Sequence, residues 1–175
     1  MELKEALDAL NSLKQAGVIE DYASGGAIAA SFYIEAVNTE DVDAFLFMSP
    51  GEGALLLSLS PIYDALKKLG GVVEEEYVRF GEWPVLILPA YKPLVEEAIK
   101  NAANVKYGDI ATRIFTPEFL CAIALDTGRL KDYYRVASFI EQRQVDMGKL
   151  REMVKQYGLE DRTKNVLNWN QNEDR

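Results

Sequence analysis

The chain has 175 residues, a formal net charge of −9, no histidine and a single cysteine. That length suits one domain, or one domain with a small helical appendage, and 49% apolar with 27% charged residues is globular usage, which excludes a disordered chain. The lack of histidine excludes Ser-His-Asp triads, histidine general bases and Cys-His zinc sites, and the acidic balance argues against broad, non-specific binding to nucleic-acid backbones; carboxylate chemistry remains.

The charged start Met1-Glu2-Leu3-Lys4-Glu5 carries no apolar signal segment, and no apolar run approaches the ~20 residues needed to cross a bilayer, so a cytoplasmic protein away from the membrane is expected. Leu3, Ala6, Leu7, Leu10 and Leu13 recur at helical spacing over Glu2 to Ala16, ahead of a glycine stop at Gly17. A short strand is expected from Val18 to Ala23, then a break at Ser24-Gly25-Gly26 and a small-residue helix from Ala27 to Ile34. The run from Asp41 to Met48 has strand length, is punctuated by Pro50-Gly51-Glu52-Gly53, and is the expected central strand. A helix follows over Ala54 to Leu69, starting or interrupted at Pro61 and ended by Gly70-Gly71.

Val72 to Phe80 and Pro84 to Leu88 read as two strands around Gly81-Glu82-Trp83, with a helix from Pro93 to Ala102. Asn104 to Tyr107 and Ile110 to Phe115 can add one more edge strand. Beyond Thr116, a plausible N-cap, the pattern is helical: Pro117 to Asp126, Leu130 to Glu141, Asp146 to Tyr157 and Glu160 to Leu167, with Gly128 and Gly158 as stops. The expected organisation is an α/β (α+β) unit over 1–115, a helical segment over 116–169 packed on it, and a polar tail over 170–175. Cys121, inside an apolar run, reads as a buried packing residue.

Alternation along the central strand puts Asp41, Asp43, Phe45 and Phe47 on one face and Val42, Ala44, Leu46 and Met48 on the other. Two carboxylates roughly 6.6 Å apart on a face that continues into the core repel each other and lose hydration unless a cation sits between them. Magnesium relieves that conflict, because it takes oxygen ligands and typically shares one or two carboxylates with substrate phosphates. The plainer alternative leaves both aspartates in solvent at the mouth of a strand. Gly25-Gly26, where a strand hands over to a helix, lets backbone N–H groups approach a phosphate, or else permits only a tight turn and close helix-sheet contact.

Gly25-Gly26 followed by Thr39-Glu40-Asp41-Val42-Asp43 resembles the nucleotidyltransferase superfamily, and more narrowly the bacterial and archaeal nucleotidyltransferases related to abortive-infection toxins. In those relatives the helical part carries a Gly-Arg-x-Lys-Asp segment, here Gly128-Arg129-Leu130-Lys131-Asp132. The resemblance implies a nucleotidyltransferase-like mixed sheet flanked by helices with a C-terminal helical segment. It implies transfer of a nucleoside monophosphate from an NTP, ATP by preference, to an unknown acceptor, with Asp41 and Asp43 catalytic and holding Mg²⁺ or Mn²⁺. Ser24, Gly25 and Gly26 would meet the phosphates, Lys131 would reach one as a point charge, and Asp132 would orient it or touch the sugar; the alternative for the last two is a solvated helix start. Active members place a third carboxylate on a neighbouring strand, where this chain reads Pro84-Val85-Leu86-Ile87-Leu88, with Glu82 just before it and Glu74-Glu75-Glu76 on the preceding strand. That departure keeps open an impaired, nucleotide-binding or interaction protein of the same fold, including one half of a toxin-antitoxin pair or a homo-oligomer.

Overall fold

The computed structural model describes residues 3–35, 37–49 and 58–170. The punctuation at Pro50-Gly51-Glu52-Gly53, the first residues of the helix expected from Ala54, and the tail beyond Asn170 lie outside the described residues.

Seven strands form one mixed sheet in the order β3-β4-β5-β2-β1-β7-β6. They are β1 (Asp21–Ser24), β2 (Val42–Phe47), β3 (Val72–Glu74), β4 (Tyr77–Phe80), β5 (Trp83–Pro89), β6 (Ala103–Tyr107) and β7 (Ile110–Ile114). The central strand expected at Asp41 to Met48 is β2, fourth of the seven, antiparallel to β1 and parallel to β5. The eight helices are α1 (Leu3–Gln15), α2 (Gly26–Ala30), α3 (Ser60–Lys68), α4 (Pro93–Lys100), α5 (Pro117–Thr127), α6 (Leu130–Glu141), α7 (Met147–Gln156) and α8 (Glu160–Thr163).

The sheet is covered on both faces, as the alternation of β2 requires. On one side α1 and α3 bring Leu7, Leu10, Ile62 and Leu66 against Val42, Ala44, Leu46 and Ile87. On the other, α2, α4, α5, α6 and α7 form a second core around Phe115, Leu125 and Phe139, on which Phe45 and Phe47 pack. The two phenylalanines are half-buried: Phe45 lies 4.9 Å from the Phe115 ring, and Lys100 Nζ sits 5.4 Å above Phe47. Cys121 is fully buried in this second core.

β1 begins at Asp21 rather than Val18, α2 ends at Ala30 rather than Ile34 and α8 at Thr163 rather than Leu167, and two strand expectations also need correction. Val72 to Phe80 is two strands: the chain reverses at Glu75-Glu76, with Glu75 at φ 55° and Glu74 paired to Tyr77. A two-residue hairpin turn needs positive φ. A straight strand would have to carry three successive glutamates, whereas the turn lets Arg79 Nε donate to Glu74 Oε2 at 2.8 Å. Likewise Ala103 to Ile114 supplies two strands, β6 at the edge and β7 inside it, joined to β1 in parallel register at Ser24↔Ile114. That junction is short, and side chains reinforce it: Arg113 is ion-paired with Asp21, and Tyr22 Oη lies 3.1 Å from Thr112 Oγ1. Thr116 does sit at the N-cap of α5, but its side chain makes no capping bond.

Candidate functional site

Register decides which side chains meet. In the β2–β5 ladder Asp43 stands opposite Leu86 and Phe45 opposite Leu88, so an aliphatic side chain occupies the position beside Asp43 where the resemblance implies a third carboxylate. Glu82 does not replace it: it lies in the turn before β5, near Thr39, Glu40 and Arg79. Among the described residues, no three or more His, Cys, Asp or Glu side chains come together in a way that would hold a metal ion on their own. Asp41 and Asp43 are two carboxylates, fewer oxygen donors than magnesium takes, so a cation held by them would have to bring phosphate oxygens and waters of its own.

The glycine pair is explained by its contact with that strand. Gly25 N donates to the Asp43 carbonyl oxygen at 2.9 Å, and a Cβ on Gly25 would fall 2.5 Å from Phe45 Cε2. Gly26 has φ 55°, and a Cβ there would lie 1.8 Å from Asp43 Oδ2, so no other residue fits without moving the carboxylate. The helix that begins there, α2, is only five residues long, so the close strand-helix contact weighs more here than a helix dipole. Ser24 is fully buried and pairs with Ala44, one step from Asp43; among the described residues its hydroxyl has no hydrogen-bond partner.

Burial pushes the Asp43 carboxyl above the usual carboxylate range, and the nearby charge of Asp41 pushes it further. Arg135, Arg129 and Lys131 pull in the opposite direction, which brings α6 into the electrostatics of the site. Asp132 is 1% exposed, and its carboxylate is fully engaged within its own helix start. It accepts from Arg129 Nε at 2.7 Å, from Arg129 Nη2 at 3.1 Å and from the Arg129 backbone N at 3.2 Å, while Arg135 Nη1 stands 3.9 Å away. Its place is that of a carboxylate clamping two guanidinium groups, one of them in bidentate geometry. Lys131 is exposed, and neither it nor Asp41, Ser24 or Gly25 lines the cleft that Gly26, Asp43, Arg129, Asp132 and Arg135 share.

That cleft, about 340 Å³, opens between the sheet and helices α4 to α6. Asp43, Gly26 and Leu86 line it from the sheet side, and Arg129, Asp132 and Arg135 from α6. Arg129, Arg135, Lys92 and Asp126 are the charged lining residues to which the sequence assigns no role. For the arginines a signal was present: they stand three residues before and three after Asp132, the spacing at which helical side chains pair.

Sheet order, the β2 ladder and the cleft define a nucleotidyltransferase-like fold. The chain is similar to the crystal structure of an antigenic nucleotidyltransferase-like protein from Paracoccidioides brasiliensis, at 15% identity and TM-score 0.56, over 95% of this chain and 94% of that one. It is also similar to the solution structure of the antibiotic-resistance factor ANT(2'')-Ia, at 15% identity and TM-score 0.52, over 90% and 92% of the two chains. At these identities the likeness is one of fold. No family model matches the sequence, and no curated protein does. Among the described residues, no helix is long and apolar enough to cross a membrane.

Proposed function

We propose that this chain binds a nucleoside triphosphate with a divalent cation at Asp41 and Asp43, and transfers its nucleoside monophosphate to an acceptor. The observation that carries the reading is the opposition of charge across one cleft: Asp43, pressed against Gly26, faces Arg129 and Arg135 held by a buried aspartate. A single cleft with the Asp43 carboxylate on one wall, Asp41 two residues before it, and planar cationic forks on the other suits a polyphosphate that arrives with Mg²⁺ or Mn²⁺. The ion would supply charge neutralisation at the transferring phosphoryl group. Asp41 and Asp43 would hold it; Arg129 and Arg135 would orient the phosphates. In the transfer, an acceptor O–H or N–H bonds through its heavy atom to the α-phosphorus and loses its proton to solvent, the bond from the α-phosphorus to the bridging oxygen breaks, and pyrophosphate leaves with that electron pair. Lys131, exposed, would contribute long-range attraction, as its charge acts on Asp43; Asp132 would act through the arginines.

Leu86 supports a second reading, nucleotide binding without turnover, because the residue opposite Asp43 on β5 is aliphatic and cannot take a proton. The two are separated by incubating the protein with each labelled NTP and Mg²⁺, alongside total RNA and candidate protein acceptors. Label transfer that disappears in the Asp41→Asn/Asp43→Asn double variant is expected if the chain is an enzyme. Nucleotide-dependent stabilisation without transfer would leave a binding protein, for which a toxin-antitoxin partner or a second copy of the chain are the roles to test. In that case Leu86→Asp is expected to raise metal-dependent transfer above the wild-type level.

A further inference from the structure

The floor of the cleft does not end at the carboxylates. Because β2 and β5 are parallel, the step from Asp43 and Leu86 to Phe45 and Leu88 moves roughly 7 Å along the strands. Beyond Leu88 the chain crosses Ala90, whose N–H bonds the Leu46 carbonyl, and reaches Lys92 at the N-cap of α4. There Lys92 Nζ donates to Asp126 Oδ2 at 2.6 Å, and both residues line the same cleft as Asp43. The lining thus holds Asp43 near the start of β2 and the Lys92–Asp126 pair beyond the end of β5, together with the apolar Phe45, Leu88, Ile123 and Leu120. Asp126 is also misplaced as a purely structural residue. It is the penultimate residue of α5, where the helix dipole disfavours a carboxylate, and no basic residue sits in that last turn.

We infer that the Lys92–Asp126 pair reads the edge of the nucleobase, and that the base it selects is guanine. This rests on the nucleotide reading of the Asp43 end. With phosphates at Asp43 and the arginines, the base falls in the apolar stretch and its Watson–Crick edge reaches the pair. A carboxylate accepts only, and an ammonium donates only. Guanine matches both: its ring N1–H and exocyclic N2–H₂ are adjacent donors for the two oxygens of Asp126, and O6 is an acceptor for Lys92. Adenine, cytosine and uracil each give Asp126 one donor position and leave one oxygen unmatched. The choice replaces the adenine nucleotide that the resemblance suggested.

The test is calorimetric titration of the full chain with GTP, ATP, CTP, UTP and XTP in Mg²⁺, for wild type and Asp126→Asn. Wild type is expected to bind GTP at least about tenfold more tightly than the other four, since a site built to pair polar edges penalises a mismatched one. Asp126→Asn, nearly isosteric, turns one acceptor into a donor and is expected to lose the GTP preference and gain XTP, whose C2 carbonyl accepts where guanine donates. A merely structural Asp126 would lower all five affinities together. Equal affinities in wild type, or a GTP preference that survives Asp126→Asn, would overturn the base assignment while leaving the nucleotide site standing. No binding of any nucleotide would overturn both.

Discussion

The two faces of β2 were made from one alternating sequence and ended in different states. Val42, Ala44 and Leu46 are 0% exposed under α1 and α3, whereas Asp43, Phe45 and Phe47 on the opposite face are only half-buried, and the first two of these line a cleft. The closed face does what apolar alternation demands. The open face keeps a carboxylate in surroundings that disfavour its charge and fits a glycine against it with no space to spare. Stability resides on one side of the strand, and the candidate chemistry on the other.

The largest effect that can break this contrast is a cavity on the closed face. Leu46→Ala is expected to cost about 3 kcal/mol in denaturant unfolding while leaving the Mg²⁺- and NTP-induced rise in melting temperature intact. If the ligand response vanished as well, the two faces would not be separable. Next comes Gly26→Ala, which forces a Cβ into the Asp43 carboxylate at positive φ and is expected to cost about 2 kcal/mol. Unlike Leu46→Ala, it is expected to abolish the ligand-induced shift in the same melting experiment. Asp132→Ala removes the clamp on Arg129 and Arg135 and is expected to cost about 1–2 kcal/mol, together with a fall in NTP affinity measured by titration.

The smallest effect has the opposite sign. The Asp43 carboxyl is raised by burial and by Asp41, so its contribution to stability is present below the ordinary carboxylate value, about pH 4, and is lost as pH rises through the higher folded-state value. Asn at this position mimics the protonated form at every pH. In chelator, Asp43→Asn is therefore expected to match wild type near about pH 4 and to melt slightly higher at neutral pH. A variant less stable than wild type across that range would show that the ionised carboxylate is supported in the fold, and the strain assigned to the open face would be wrong.

Much of the frame could be read from residue order. Alternation assigned the two faces of β2 correctly. The bounds of α6 agree at both ends, because Gly128, at φ 70°, stops α5 and the polar run after Glu141 ends the next helix. The place of Leu86 beside Asp43 also followed from taking the Pro84 to Leu88 run as the neighbouring strand. What stayed hidden has physical causes. The reversal at Glu75-Glu76 uses a glutamate in a conformation that glycine or asparagine would have announced. The Lys92–Asp126 pair joins residues 34 positions apart, from the start of one helix and the end of another, and no local pattern encodes that meeting. Asp132 was noticed, but for the wrong partner: spacing along the helix pointed to Arg129 and Arg135, and the motif drew the eye to Lys131.

The solitary thiol has a practical use. Cys121 sits in α5, next to Leu120, which lines the cleft, and burial raises its pKa well above the ordinary thiol value. An alkylating reagent added to the native protein can therefore react only during excursions that lift the helical layer off the sheet, and each such event leaves a permanent mark. With no second thiol to confuse the signal, the labelling rate becomes a clock for breathing of the cleft roof. A ligand that bridges sheet and helices will slow that clock, and one that binds elsewhere will leave it running.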